Sequence, residues 1–259
     1  MHVTRRVKAA LAGASLAVLA SGASLAAAAP AKPAPAAASQ VEPGALQALA
    51  RMSAYLKTNN AFQVTSNTQR DEVDDYGQTV TLSGQTIYKV QSPNAFEIEV
   101  SDADKTRSYV YDGKSVTVFD PKTSYYARFN AAATIRQTLD DAEARYGITV
   151  PLDDLFHWDQ GDDGAKRLTA AHFVGKANVG GQDADQYIFR QPGVDWQIWI
   201  ASGAKPVPLR VVIVASDDPA RPRFQADLAW DTTPKFAAGT FVFTPPPGAK
   251  SIPIMASAR

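Results

Sequence analysis

The chain has 259 residues, 26 basic and 26 acidic side chains, three histidines and no cysteine. Disulfides, thiolate nucleophiles, cysteine-ligated metals and a lipidated N-terminal cysteine are therefore excluded, and the even charge leaves no electrostatic footprint for nucleic acid. About 230 residues follow the first 28, enough for one sizeable β domain or two small ones, of which one is favoured because β sandwiches and barrels often reach that length.

Residues 1–28 read as a secretory signal peptide cleaved near Ala28: a basic start (Arg5, Arg6, Lys8), an apolar run from Ala9 to Leu25, then small residues. The run is rich in Ala, Gly and Ser and lacks a charged stop-transfer flank, which favours cleavage over anchoring. Lys8 stands where a twin-arginine leader wants an apolar residue, so the ordinary secretion route is expected. Without Arg5, Arg6 and Lys8, 23 basic residues face 26 acidic ones. Residues 29–43 form an Ala/Pro-rich tether whose small side chains cannot build a core.

Residues 44–259 are expected to be one domain. Pro43 suits a first helical position, and Leu46, Leu49, Met52 and Leu56 follow at near-helical spacing until Asn59 and Asn60. From Ala61 the period becomes two, with strands expected near 61–69 and 78–90. In "AFEIEV", Phe96, Ile98 and Val100 face one way and Glu97 and Glu99 the other. Asp112-Gly113 and Asp120-Pro121 then separate three strand-like runs of an antiparallel meander. A second helix is expected where Ile135, Leu139, Ala142 and Tyr146 share a stripe that Gly147 ends. "PLDDLF" reads as a third, short helix turning Leu152, Leu155 and Phe156 to the sheet, and "HWDQGDDG" as the loop after it. After Gly164 the strand pattern resumes, with Gly180-Gly181 as a hairpin turn and Phe224, Ala226, Leu228 and Trp230 alternating with polar residues.

The helices precede or interrupt blocks of strands and do not alternate with single strands. That segregation predicts a mainly β, α+β fold: one large curved antiparallel sheet of about eleven strands, an unclosed half-barrel, with about three helices covering its concave face.

The chemical motifs are sparse. Nucleophile-elbow, H-E-x-x-H and phosphate-loop patterns are absent from the sequence. Once His2 leaves with the leader, His157 and His172 remain, and neither sits in a local motif, so each is expected to make a structural hydrogen bond. Asp159, Asp162 and Asp163 lack the ligand spacing of a calcium loop, and Asx turns around Gly161 and Gly164 account for them. No metal, cofactor or catalytic residue is assigned. The apolar inventory says more. Phe96, Ile98, Tyr109, Tyr111, Trp196, Ile198, Leu228 and Trp230 share the inner phase of their strands and are the cavity candidates. Leu46, Leu49, Leu139, Leu155 and Phe156 on the helices would form a lid. Trp199 alternates out of phase with Trp196 and belongs on the other face.

The order of these segments, with "YVYDGKSVTVFDPKTSYY", "VPLDDLF", "ANVGGQDADQYIF" and "WQIWIASGAKPVPLRVVI", resembles an uncharacterised family of predicted periplasmic bacterial proteins, over roughly residues 43–255. That family is similar in architecture to the outer-membrane lipoprotein carriers, whose unclosed barrel and helical lid enclose an apolar cavity for acyl chains. The resemblance implies a periplasmic carrier, non-enzymatic and monomeric, for a lipid or lipoprotein acyl chain, with an envelope protein as a further partner. None of Arg107, Arg128 and Arg190 matches the arginine with which those carriers latch their lid. The alternatives are a non-catalytic envelope interaction or stress-sensing module, and a hydrolase with an acidic or His157-centred site.

Overall fold

The computed structural model describes residues 40–102, 106–150, 152 and 166–256. The elements run α1 (Pro43–Thr58), β1 (Ala61–Val73), β2 (Thr79–Gln91), β3 (Ala95–Asp102), β4 (Thr106–Tyr111), β5 (Ser115–Asp120), β6 (Tyr125–Asn130), α2 (Ile135–Tyr146), β7 (Ala170–Val179), β8 (Gln182–Gln191), β9 (Val194–Ala201), β10 (Pro208–Ala215), β11 (Arg223–Asp231) and β12 (Lys250–Ser251). The leader, nearly all of the tether, and the residues Leu155, Phe156, His157, Asp159, Asp162 and Asp163 lie outside the described residues.

All twelve strands form one curved, unclosed sheet in the order β12-β6-β5-β4-β3-β2-β1-β11-β10-β9-β8-β7. The eleven longer strands pair antiparallel, as the turn signals imply, and the two-residue β12 joins β6 in parallel. The hairpin at Gly180-Gly181 forms as expected, both glycines adopting positive φ. Two helices stand among the described residues where about three were expected, since most of "PLDDLF" falls outside them.

Alternation sorts each strand into an inner face, against which the helices pack, and an outer one. Cross-strand register then stacks inner residues into rows. One row runs Phe62, Val90, Phe96, Tyr111, Val116, Phe129, and the next runs Val64, Tyr88, Ile98, Tyr109, Val118, Ala127. On the other wing Val211, Ile198 and Tyr187 align, as do Ile213, Trp196 and Phe189. These side chains and the helices make the main core.

The helices meet the sheet differently from the simple leucine pattern. In α1 the fully buried residues are Ala45, Ala48 and Met52, while Leu46 is only half-buried and Leu49 and Leu56 pack at the margin. Small side chains let the helix axis come close to the sheet. In α2 the expected stripe holds: Ile135, Leu139 and Ala142 are buried together with Thr138, and Tyr146 packs on Phe129. Thr134 caps its start by accepting the Gln137 amide, and Gly147 ends it at φ 64.

Trp199 faces outward as its phase requires, but it is half-buried, not exposed. Arg210, itself paired with Asp227, lies 5.7 Å over its ring.

Candidate functional site

The inner face is not uniform along the strands. In the row from Phe96 to Phe129, α2 and its flanks leave no space: Phe96 and Tyr111 are buried, and the Tyr111 hydroxyl donates to the Ala132 carbonyl at 2.6 Å. One row further on, Tyr109, Val118 and Ala127 are instead the floor of a cavity of about 580 Å³. Its wall is the segment leaving α2, Tyr146 to Thr149, and its far side is Ile252 and Ile254, carried in beside β6 by the short parallel strand β12.

The next step along the strands changes the chemistry. Val100 keeps the floor apolar on β3, but Arg107 follows on β4, Asp120 on β5 and Tyr125 on β6, with Asp102 and Thr123 at the same rim. The cavity is thus apolar inside and charged at its mouth. Asp120 is held by its own turn, its Oδ1 accepting the amides of Lys122 at 2.9 Å and Thr123 at 3.2 Å.

Of the eight cavity candidates, Tyr109 lines this space. Phe96, Ile98, Tyr111, Ile198 and Leu228 are close-packed core. Trp196 stacks on Phe189 with 4.1 Å between ring centres, and Trp230 packs against Phe62 while its Nε1 donates to the Pro208 carbonyl at 2.7 Å. Among the lid candidates, Leu139 is buried, Leu49 packs at the core margin and Leu46 is half-buried, while Leu155 and Phe156 lie outside the described residues. Val100, Val118, Ala127, Ile148, Ile252 and Ile254 line the cavity without having been singled out. Val100 was legible as the next inner residue after Phe96 and Ile98.

The described histidine, His172, stands on β7 with Nδ1 3.3 Å from Oε1 of Glu42, whose Oε2 accepts the Phe173 amide at 3.0 Å. The bond from the Phe173 amide, then that from His172, holds the Glu42 carboxyl below its ordinary pKa despite some desolvation. The arrangement pins the start of α1 to the edge strand. Among the described residues no group of three or more His, Asp or Glu converges to hold a metal.

Residues 45–255 match the family described as "Predicted periplasmic protein (DUF2092)". The chain belongs to this family. The DUF2092 protein is periplasmic, and among its described residues no helix is long and apolar enough to cross a membrane. The comparison with curated proteins found no match. Among solved structures it is similar to an uncharacterized conserved protein from Thermus thermophilus, at 13% identity and TM-score 0.46, covering 81% of this chain and 99% of that one. Lipoprotein LppX of Mycobacterium tuberculosis gives 13% identity and TM-score 0.44, over 75% of this chain and 98% of that one. A LolA superfamily protein of Nitrosomonas europaea gives 12% identity and TM-score 0.36, over 77% and 97%.

Proposed function

We propose that this protein binds an apolar ligand, a lipid or a lipoprotein acyl chain, between its sheet and helices and carries it through the periplasm. The observation behind this reading is the cavity of about 580 Å³ floored by Tyr109, Val118 and Ala127, a size within the roughly 300–1,000 Å³ of small-molecule sites. Binding would come from burial, each methylene removed from water contributing about 0.8 kcal/mol, with no covalent step. The segment after α2 acts as the near wall of the lid, and residues 29–43 are a spacer between a cleaved leader and the binding domain at 44–259.

The test is to purify the mature protein from its native envelope, extract it, and seek stoichiometric lipid by mass spectrometry. Uptake of a fluorescent fatty-acid probe should then fall by about tenfold or more in Val118→Asp, because it puts a charge on the floor where the apolar chain would lie. A protein that emerges empty and ignores such probes sinks the reading.

One observation supports a second reading, a non-catalytic module that takes an extended envelope peptide at its sheet edge. At a bulge between Phe173 and Gly175, edge strand β7 exposes Phe173 at 48% and Val174 at 53%, with Ile188 of β8 at 37%. An empty, probe-blind protein whose cross-linking to an envelope protein is abolished by Val174→Pro would favour it.

A further inference from the structure

We infer that the ligand is an anionic amphiphile, its carboxylate or phosphate head bonded to Arg107 and its chain lying inward over Tyr109 and Val118. This rests on the reading that the cavity holds an apolar chain, and adds to it a direction and a head charge.

The direction follows from the register. Two residue steps along a strand, about 7 Å, separate the row of Tyr111 and Val116, closed by α2, from the row of Tyr109 and Val118, which floors the cavity. Two more steps reach Arg107 and Asp120, at the rim. An inserted chain therefore has its apolar end against the closed row and leaves its polar end at the charged one.

The sign of the head follows from which rim groups are already engaged. Asp120 accepts two turn amides, from Lys122 and Thr123, and Asp102 takes part in an interaction of its own. Arg107 is exposed, and its guanidinium makes no hydrogen bond or ion pair among the described residues. The strand arginines of the outer face are each occupied: Arg128 bonds the Thr117 hydroxyl at 2.9 Å, Arg190 pairs with Asp195 and Arg210 with Asp227. Arg107 alone of these four stands over the cavity with its guanidinium donors unspent among the described residues. A guanidinium offers a planar fork that matches a carboxylate or phosphate through two parallel bonds. A cationic head would have to compete with the amides that already hold Asp120.

The test titrates the mature protein calorimetrically with dodecanoate, dodecyl phosphate, methyl dodecanoate and dodecylammonium, and separately with inorganic phosphate. We expect at least one of the two anions to bind about tenfold or more tightly than the ester and the ammonium, the stronger anion identifying the head. Arg107→Gln should bring the anions to the level of the ester and leave the ester unchanged. Arg107→Lys should fall between, keeping charge without the fork. Equal affinity for acid and ester, an equal loss of both in Arg107→Gln, or binding of inorganic phosphate as strong as that of dodecyl phosphate would overturn the inference while leaving the apolar site standing. Failure of all the dodecyl probes would sink both.

Discussion

Asp112 sits in the turn between β4 and β5, where its Oδ1 accepts the amides of Lys114 at 2.9 Å and Ser115 at 2.7 Å. Burial pushes its pKa up, but the amides of Ser115 and Lys114, the Ser115 hydroxyl and the field of Arg128 outweigh it and hold the carboxyl below its ordinary value. The unfolded chain therefore takes up this proton first as pH falls. The stabilisation is complete above the usual carboxylate pKa near 4 and disappears as pH falls through the lower folded value. Asp112→Asn should be less stable at neutral pH, and urea unfolding should show that gap closing as pH falls into the ordinary carboxylate range and on through the lower folded value. Ser66 offers the opposite case. It is fully buried on the inner face beside Thr86, and its Oγ has no hydrogen-bond partner among the described residues. An unsatisfied buried hydroxyl costs roughly 1–3 kcal/mol, so Ser66→Ala should raise the urea midpoint by about 1 kcal/mol of stability. A lower midpoint would mean that the hydroxyl is solvated in solution. Neither effect was visible in the sequence, where Asp112 shows only as a turn residue and Ser66 as one polar member of a strand.

At the scale of elements, α2 was legible almost completely and α1 only in part. The stripe of Ile135, Leu139, Ala142 and Tyr146 and the stop at Gly147 are local signals, and the structure keeps them. For α1 the leucines marked the helix but not its contact face, because which side approaches the sheet depends on a strand more than a hundred residues away. Glu42 donates its amide to the Ala171 carbonyl at 2.8 Å, and that pairing turns Ala45 and Ala48 inward. Ala48, at 2% exposure, has no room to grow. Ala48→Leu should therefore destabilise the protein by about 1–3 kcal/mol through overpacking, whereas Leu46→Ala should cost under about 1 kcal/mol, since Leu46 is half-buried. Thermal unfolding of the two variants orders them; equal losses would mean that α1 docks by its leucines after all. The site shows the same division. Tyr109 was legible from alternation, but Ile148, Ile252 and Ile254 reach the cavity only because α2 ends beside it and β12 joins β6.

For the whole molecule, the antiparallel sheet was readable because each hairpin announces itself through its turn and its alternation. The last connection does not. "KS" carries no strand signal, and its pairing with β6 is created by a chain that leaves β11, in the middle of the sheet beside β1, and returns at the edge beyond β6. Phe243 fixes that return on the outer face, with its ring centre 5.4 Å from that of Phe119 and 5.3 Å from that of Tyr126. The contact ties the returning chain to the neighbouring strands β5 and β6, next to the stretch that brings Ile252 and Ile254 to the cavity's far side. Phe243 is half-buried, so Phe243→Ala should cost about 2 kcal/mol, less than a fully buried Phe but more than burial alone because two ring pairs are lost. The damage should also be local. Hydrogen exchange should quicken at the Lys250 and Ile252 amides, which donate to the Ser124 and Tyr126 carbonyls at the edge of β6. Exchange at β8, β9 and β10, on the far side of β11, should hardly change. Probe uptake should fall with the protection of those two amides, because losing the return strand removes one side of the cavity while its floor, Tyr109 and Val118, stays in register. Uniform exchange across all strands would instead mean that the sheet opens as one unit and that the return segment is only a cover.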